Sequence, residues 1–123
     1  MKLQMIGCSH HDAAVEFREK ISFTSDQISH ALSAFRTRFP SSEIVLISTC
    51  NRVELYATAG DNEEIDRDDV AEFLADQHQL SADEIVDQMI YRAGSDAVEH
   101  LFTVAASLDS MVVGERSEER RVG

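Results

Sequence analysis

Between Glu43 and Ala59 the chain reads EIVLISTCNRVELYATA, two strand-forming stretches separated only by a short polar junction around Thr49, Cys50 and Asn51. Parallel neighbours need a crossover of a dozen or more residues, and this junction is far too short for one. The two strands must therefore pair antiparallel, and every other element has to be arranged around that hairpin. EIVLIS (43–48) is a short continuous apolar run, the pattern of a buried central strand. From Arg52 the pattern alternates: Val53, Leu55, Ala57 and Ala59 share one face, and Arg52, Glu54, Tyr56 and Thr58 take the other.

The flanking segments supply the rest. LQMIGCSH (3–10) predicts a first strand. FTSDQISHALSAFRTRFP (23–40) predicts a helix, because Thr24 and Gln27 form a capping box and Phe23 can staple to Ile28. Ile28, Ala31, Leu32, Phe35 and Phe39 hold helical spacing, and Pro40 stops the run. A second helix is expected over Asp66 to His78, with Val70, Phe73, Leu74 and Gln77 on one side, and IVDQMIYRA (85–93) is the fourth strand candidate. The last helix opens near Ser95, with Val98, Leu101, Phe102, Ala105 and Leu108 as its apolar stripe. The order β-α-β-β-α-β followed by a helix predicts an α+β, ferredoxin-like split βαβ fold: an antiparallel sheet with helices packed on it, plus a C-terminal helix. There are no repeats, and no linker divides the first 115 residues.

At 123 residues, 43% hydrophobic and 28% charged, the chain can bury the core of one domain. A net charge of −12 argues against a broad nucleic-acid surface, while leaving room for a local contact with one RNA end. The acidity is concentrated in GDNEEIDRDD (60–69), which reads as a solvated loop and helix start. No apolar run is long enough to span a bilayer, and MKLQMIGCSHHD lacks the h-region and cleavage site of a signal peptide. Two cysteines without CxxC spacing make no disulfide framework, so a cytoplasmic protein is expected.

Few residues carry chemistry. Cys50 sits at a polar strand junction with Arg52 two residues on, and a nearby cation favours the reactive thiolate. Cys8, inside the first strand, reads as a small buried residue. His100 lies off the last helix's apolar stripe with Asp96, Ser107 and Met111, either solvated or facing a cleft where it could shuttle protons. Cys8, His10, His11 and Asp12 in CSHHD are possible metal ligands, but adjacent ligands with no second cluster make a weak signal, and no metal site is expected. No GxGxxG or GxxxxGK[ST] segment occurs, and the five glycines are scattered.

Three ordered blocks, GCSHHDAAVEFREKISF, STCNRVELY and HLFTVAASLDSMVVGE, resemble the amino-terminal catalytic domain of the glutamyl-tRNA reductases over residues 3 to 115. Ala14 stands where the first block usually has proline. The resemblance implies that Cys50 attacks the aminoacyl ester of glutamyl-tRNA, giving a thioester that the full-length enzyme reduces with NADPH to glutamate-1-semialdehyde for tetrapyrrole synthesis. It implies that Arg52 grips the glutamate carboxylate and that Thr49, Asn51, Ser110 and Glu115 contact substrate. His100 matches a histidine needed for activity. A straight last helix would separate His100 from Ser110 by about 15 Å.

The resemblance also implies a homodimer formed through a C-terminal helix, hand-over of product to glutamate-1-semialdehyde aminotransferase, and no membrane partner. NADPH would be held by a separate domain, and none is expected on residues 1–115. After Glu115 the family pattern is lost. RSEERRVG (116–123) resembles translated sequencing adapter and is expected to be a non-native tail, with the NADPH-binding and dimerisation domains absent. Two other classes stay open on the residues alone: a non-catalytic ferredoxin-like binding module and a stand-alone cysteine esterase.

Overall fold

The computed structural model describes residues 2–60 and 62–116, with side chains through Ser107. The hairpin is its spine. Strands β2 (Glu43–Ser48) and β3 (Arg52–Thr58) pair antiparallel from Glu43↔Thr58 to Ser48↔Val53. Strand β1 (Leu3–Ser9) lies on the other side of β3, and β4 (Ile90–Ala93) pairs with β1, also antiparallel. The resulting order β2-β3-β1-β4 is the split βαβ arrangement the element order predicts.

Five helices lie among the described residues: α1 (Val15–Ile21), α2 (Ser25–Arg38), α3 (Arg67–His78), α4 (Ala82–Gln88) and α5 (Ser95–Arg116). The predicted capping box of α2 is formed, with Thr24 and Gln27 each accepting the other's backbone N–H. Asp66 and Asp69 do the same for α3. One sheet face, carrying Ile6, Cys8, Val53, Leu55 and Ala57, packs on the first four helices in the main core. Phe35 anchors that core, edge-on to Phe73 with ring centroids 5.1 Å apart. The opposite face carries α5 over a smaller cluster of Met5, Tyr56 and Ala97.

The structure corrects four expectations. EIVLIS is an edge strand, not a central one. Ile44 and Leu46 pack on the main core, but Val45, on the face that carries α5, is 51% exposed. Residues 15–21 form a helix where a polar connection was expected. IVDQMIYRA is mostly not strand: Ser81 accepts the Glu84 N–H as an N-cap, so 82–88 turn helical and only Ile90–Ala93 joins the sheet. Finally, α5 docks roughly a quarter turn away from its apolar stripe, at 100° per residue. Ala97 and Val104 are buried, whereas Val98 and Phe102 are exposed, Phe102 by 70%. The small Ala97 lets the helix approach the sheet, and a polar contact described below fixes the rotation.

Candidate active site

The β2–β3 turn is held rigid by its own polar atoms. Thr49 Oγ1 accepts the N–H groups of Asn51 and Arg52, both at 3.2 Å, and the Thr49 N–H donates to the Arg52 carbonyl at 2.8 Å. Two neighbours pin the turn from outside. The His10 N–H donates to the Asn51 carbonyl at 2.8 Å, and Arg18 Nη1 donates to the Cys50 carbonyl at 2.9 Å. Arg18 also reaches the Ala13 carbonyl through Nε, which ties α1 and its lead-in to the same turn. The backbone of Cys50 is therefore fixed while its thiol is exposed. A nucleophile needs both.

Next to the turn, the face of β3 toward α5 carries an element that the sequence reading missed. Glu54 is 2% exposed, yet its carboxylate has three donors. Tyr56 Oη donates to Oε1 at 2.6 Å, Arg52 Nη1 donates to Oε2 at 2.8 Å, and His100 Nε2 stands 2.7 Å from Oε2. An ionised carboxylate only accepts, so Nε2 carries the hydrogen in this contact. A buried carboxylate without partners would be prohibitively costly, and these three contacts offset that cost. Burial and the Glu54 contact together push the Tyr56 hydroxyl well above its ordinary pKa. The His100 contact sets the rotation of α5, because it turns a polar residue toward the sheet. The available signal was the R-x-E-x-Y alternation, which puts an arginine, a carboxylate and a phenol on one face.

Gly7 makes room for this hub. It lies opposite Glu54 in the ladder, and a Cβ there would fall 2.7 Å from Glu54 Cγ and 2.7 Å from the Val53 carbonyl oxygen. Relief would need movement of the central strands. Gly7→Ala is expected to destabilise the domain by about 1–3 kcal/mol, as overpacking does, and to displace Glu54. Urea unfolding measures the first effect and a crystal structure the second.

Arg52 and His100, proposed separately from the sequence, thus meet through Glu54. They line a cleft of about 30 Å³ that Gly7, Glu54 and Arg92 also line and that Cys50 does not. Thr49 is committed to the turn through Oγ1, and the Asn51 side chain is at the exposed tip. Helix α5 runs unbroken through Ser110 and Glu115, whose side chains lie outside the described residues, as does the tail at 117–123. Ser110 is ten residues past His100 on that helix, about 15 Å along its axis.

CSHHD does not gather as a metal cluster. Cys8 is buried, the two imidazoles are exposed and tilted at 39° with centroids 3.9 Å apart, and Asp12 accepts the Ser9 N–H at 2.6 Å. Burial, and then the charge of Asp12, push the Cys8 thiol up to about 11. Iodoacetamide at neutral pH is therefore expected to label Cys50 at least tenfold faster than Cys8, since the reagent needs an accessible thiolate. Peptide mass spectrometry over a time course checks this, and equal rates would remove Cys50's claim to be the nucleophile.

This turn and hub lie within a region matched by a known family model. Residues 6–117 match the model described as Glutamyl-tRNAGlu reductase, N-terminal domain. A glutamyl-tRNA reductase of Rhodopirellula baltica is 55% identical over 115 residues, covering 94% of this chain and 27% of that protein. One from Shewanella loihica is 39% identical, with 94% and 26% covered. Among solved structures, glutamyl-tRNA reductase from Methanopyrus kandleri matches with a TM-score of 0.58 and 39% identity, over 91% of this chain and 24% of that one. The chain thus spans about a quarter of the length of these relatives. With a family model covering almost all of it and relatives alike in both sequence and fold, the chain belongs to the glutamyl-tRNA reductase family and carries its N-terminal domain.

Proposed function

We propose that this domain takes the glutamyl group from glutamyl-tRNA onto Cys50. The observation that carries the reading is the exposed thiol on an immobilised turn, two residues from an arginine that is itself fixed by a buried carboxylate. The Cys50 thiolate attacks the ester carbonyl, the carbon–sulfur bond forms, and the bond to the ribose oxygen breaks. That oxygen leaves with a proton, which His100 would supply from Nδ1 in its imidazolium form, its Nε2–H being held on Glu54. Arg52 has Nη1 on Glu54, which leaves its Nε/Nη2 edge for a two-point grip on the substrate's side-chain carboxylate. Thr49 Oγ1 accepts from the turn, and its hydroxyl hydrogen is left to donate to the substrate. Asn51, at the exposed tip, is placed to meet the incoming ester, and Ser110 and Glu115 are further substrate contacts by family likeness.

In the whole protein the thioester would be the species reduced to glutamate-1-semialdehyde for tetrapyrrole synthesis. The described residues do not fit NADPH. The sheet is antiparallel throughout, and none of its described strands runs into a glycine-rich turn and helix that could cradle a dinucleotide. Cofactor binding, dimer formation and delivery to the aminotransferase are proposals for the longer protein, in a cytoplasmic setting. Among the described residues no helix is long and apolar enough to cross a membrane.

Intact-mass spectrometry of the chain after brief exposure to glutamyl-tRNA tests the reading. A hydroxylamine-labile adduct of one glutamyl group, mapped to Cys50, is expected. Release of free glutamate with no adduct, at the same rate after Cys50 is alkylated, would overturn it.

A further inference from the structure

Arg92 carries a donor that nothing described satisfies. Its Nη1 lies 3.2 and 3.3 Å from the two oxygens of Asp96, in the first turn of α5. Its Nε is buried and has no hydrogen-bond partner among the described residues. Such an N–H costs stability unless something accepts from it. Glu54 does not supply it: Oε1 accepts from Tyr56 and Oε2 from Arg52 and His100, and neither accepts from Nε.

Strand register places Arg92 on the same sheet face as this hub. Arg92 pairs with Met5, Met5 pairs with Tyr56, and Arg52, Glu54 and Tyr56 alternate along that face. Arg92 and Arg52 line one cleft, whose volume of about 30 Å³ suits a single small acceptor group. Two guanidinium groups and an imidazole there face the buried Glu54 carboxylate and Asp12, which accepts the Ser9 N–H, while Asp96 holds the Nη1 end of Arg92. The acceptor that Nε lacks therefore comes from outside the described residues, and a water or the oxygen of a bound carboxylate both have the right size.

We propose that Arg92 is a second specificity-determining arginine, its Nε donating to the same side-chain carboxylate that Arg52 grips when the acyl group is loaded. This rests on the reading of Cys50 and Arg52 above. It adds a donor from β4, so that the carboxylate is held between two strands and an uncharged amide of equal shape is rejected.

Arginine Nε–Hε resonances in ¹⁵N-labelled chain test the proposal without catalysis. Titration with glutamate α-methyl ester, which has a free side-chain carboxylate, should shift the Arg52 and Arg92 signals saturably. Glutamine α-methyl ester should shift neither. Movement of Arg52 alone would overturn the role of Arg92 and leave the carboxylate grip intact. Movement of neither would overturn both, and equal response to the two esters would mean that the cleft takes any oxygen, as it would a water.

A second measurement compares glutamyl with glutaminyl esters in acylation of Cys50. Arg92→Gln should reduce the preference for glutamyl about tenfold, the usual scale for one charge-assisted donor. Asp96→Asn, which loosens the other end of Arg92 but keeps Nε, should retain it. An equal loss in both variants would assign Arg92 to anchoring α5 and sink the proposal.

Discussion

Cys50→Ser is expected to yield no glutamyl adduct and to slow transfer from glutamyl-tRNA by at least about a thousandfold, the scale seen when a covalent nucleophile is removed. A thousandfold loss corresponds to about 4 kcal/mol of transition-state stabilisation. Serine is nearly isosteric, and the turn's backbone contacts from Arg18, His10 and Thr49 do not involve the thiol, so the fold should be untouched. The loss is chemical. A serine hydroxyl stays protonated at neutral pH and needs a hydrogen-bonded base to act as a nucleophile. No such base contacts the Cys50 side chain among the described residues, and His100 is turned to Glu54 instead. Cys8→Ser is the control, since that thiol is buried in β1 and its loss should leave transfer within a few-fold. Single-turnover assays with labelled glutamyl-tRNA separate the outcomes. Transfer that survives in Cys50→Ser but falls in Cys8→Ser would reverse the assignment.

The sequence made the hairpin and its junction legible because strand alternation and a short connection are local facts. The same holds for α2 and α3, whose ends are written in their capping residues, Thr24 with Gln27 and Asp66 with Asp69. Two of the misreadings were local, the helix at 15–21 and the Ser81 N-cap ahead of 82–88, and the other two were non-local. Nothing within EIVLIS shows that β1 will pair on the far side of β3 and leave β2 at the edge. The α5 stripe misled for a related reason. Periodicity ranks faces by apolarity, yet this helix is seated by a polar residue, His100, reaching a carboxylate 46 positions earlier in the chain. Glu54 escaped notice because a buried acid is explained only by its partners, and two of its three contacts depend on where α5 and the Arg52 side chain come to rest. The position of Cys50, by contrast, was readable from the chain alone.

Glu54→Gln tests whether that hub is functional or merely tolerated. Glutamine keeps the shape but replaces one acceptor oxygen with an amide that donates. Whichever way the amide turns, its N–H₂ must face either the Tyr56 hydroxyl or the pair formed by Arg52 and His100. In one orientation two donors lose their acceptor; in the other, the phenol must reverse its hydrogen. The arginine's countercharge is lost in both. Breaking a buried pair by removing one partner costs about 3–5 kcal/mol. Here the Arg52 and His100 side chains remain 20% and 22% exposed, so water can recover part of that and a loss of about 2 kcal/mol is expected. The effect on function should be larger than the effect on stability. Arg52 and His100 are aimed by one oxygen, and displacement of positioning groups by about 1 Å can cost a hundredfold. The rate of Cys50 acylation by glutamyl-tRNA should therefore fall about a hundredfold, while iodoacetamide labelling of Cys50, which needs the nearby charge of Arg52 but not its exact aim, stays within a few-fold. Tyr56→Phe removes only the donor to Oε1 and should show the same pattern in weaker form. Urea unfolding, acylation and labelling on the same preparations decide the matter: parallel losses in all three would mean that Glu54 only stabilises the fold, and an unchanged acylation rate would mean that Arg52 and His100 do not depend on it.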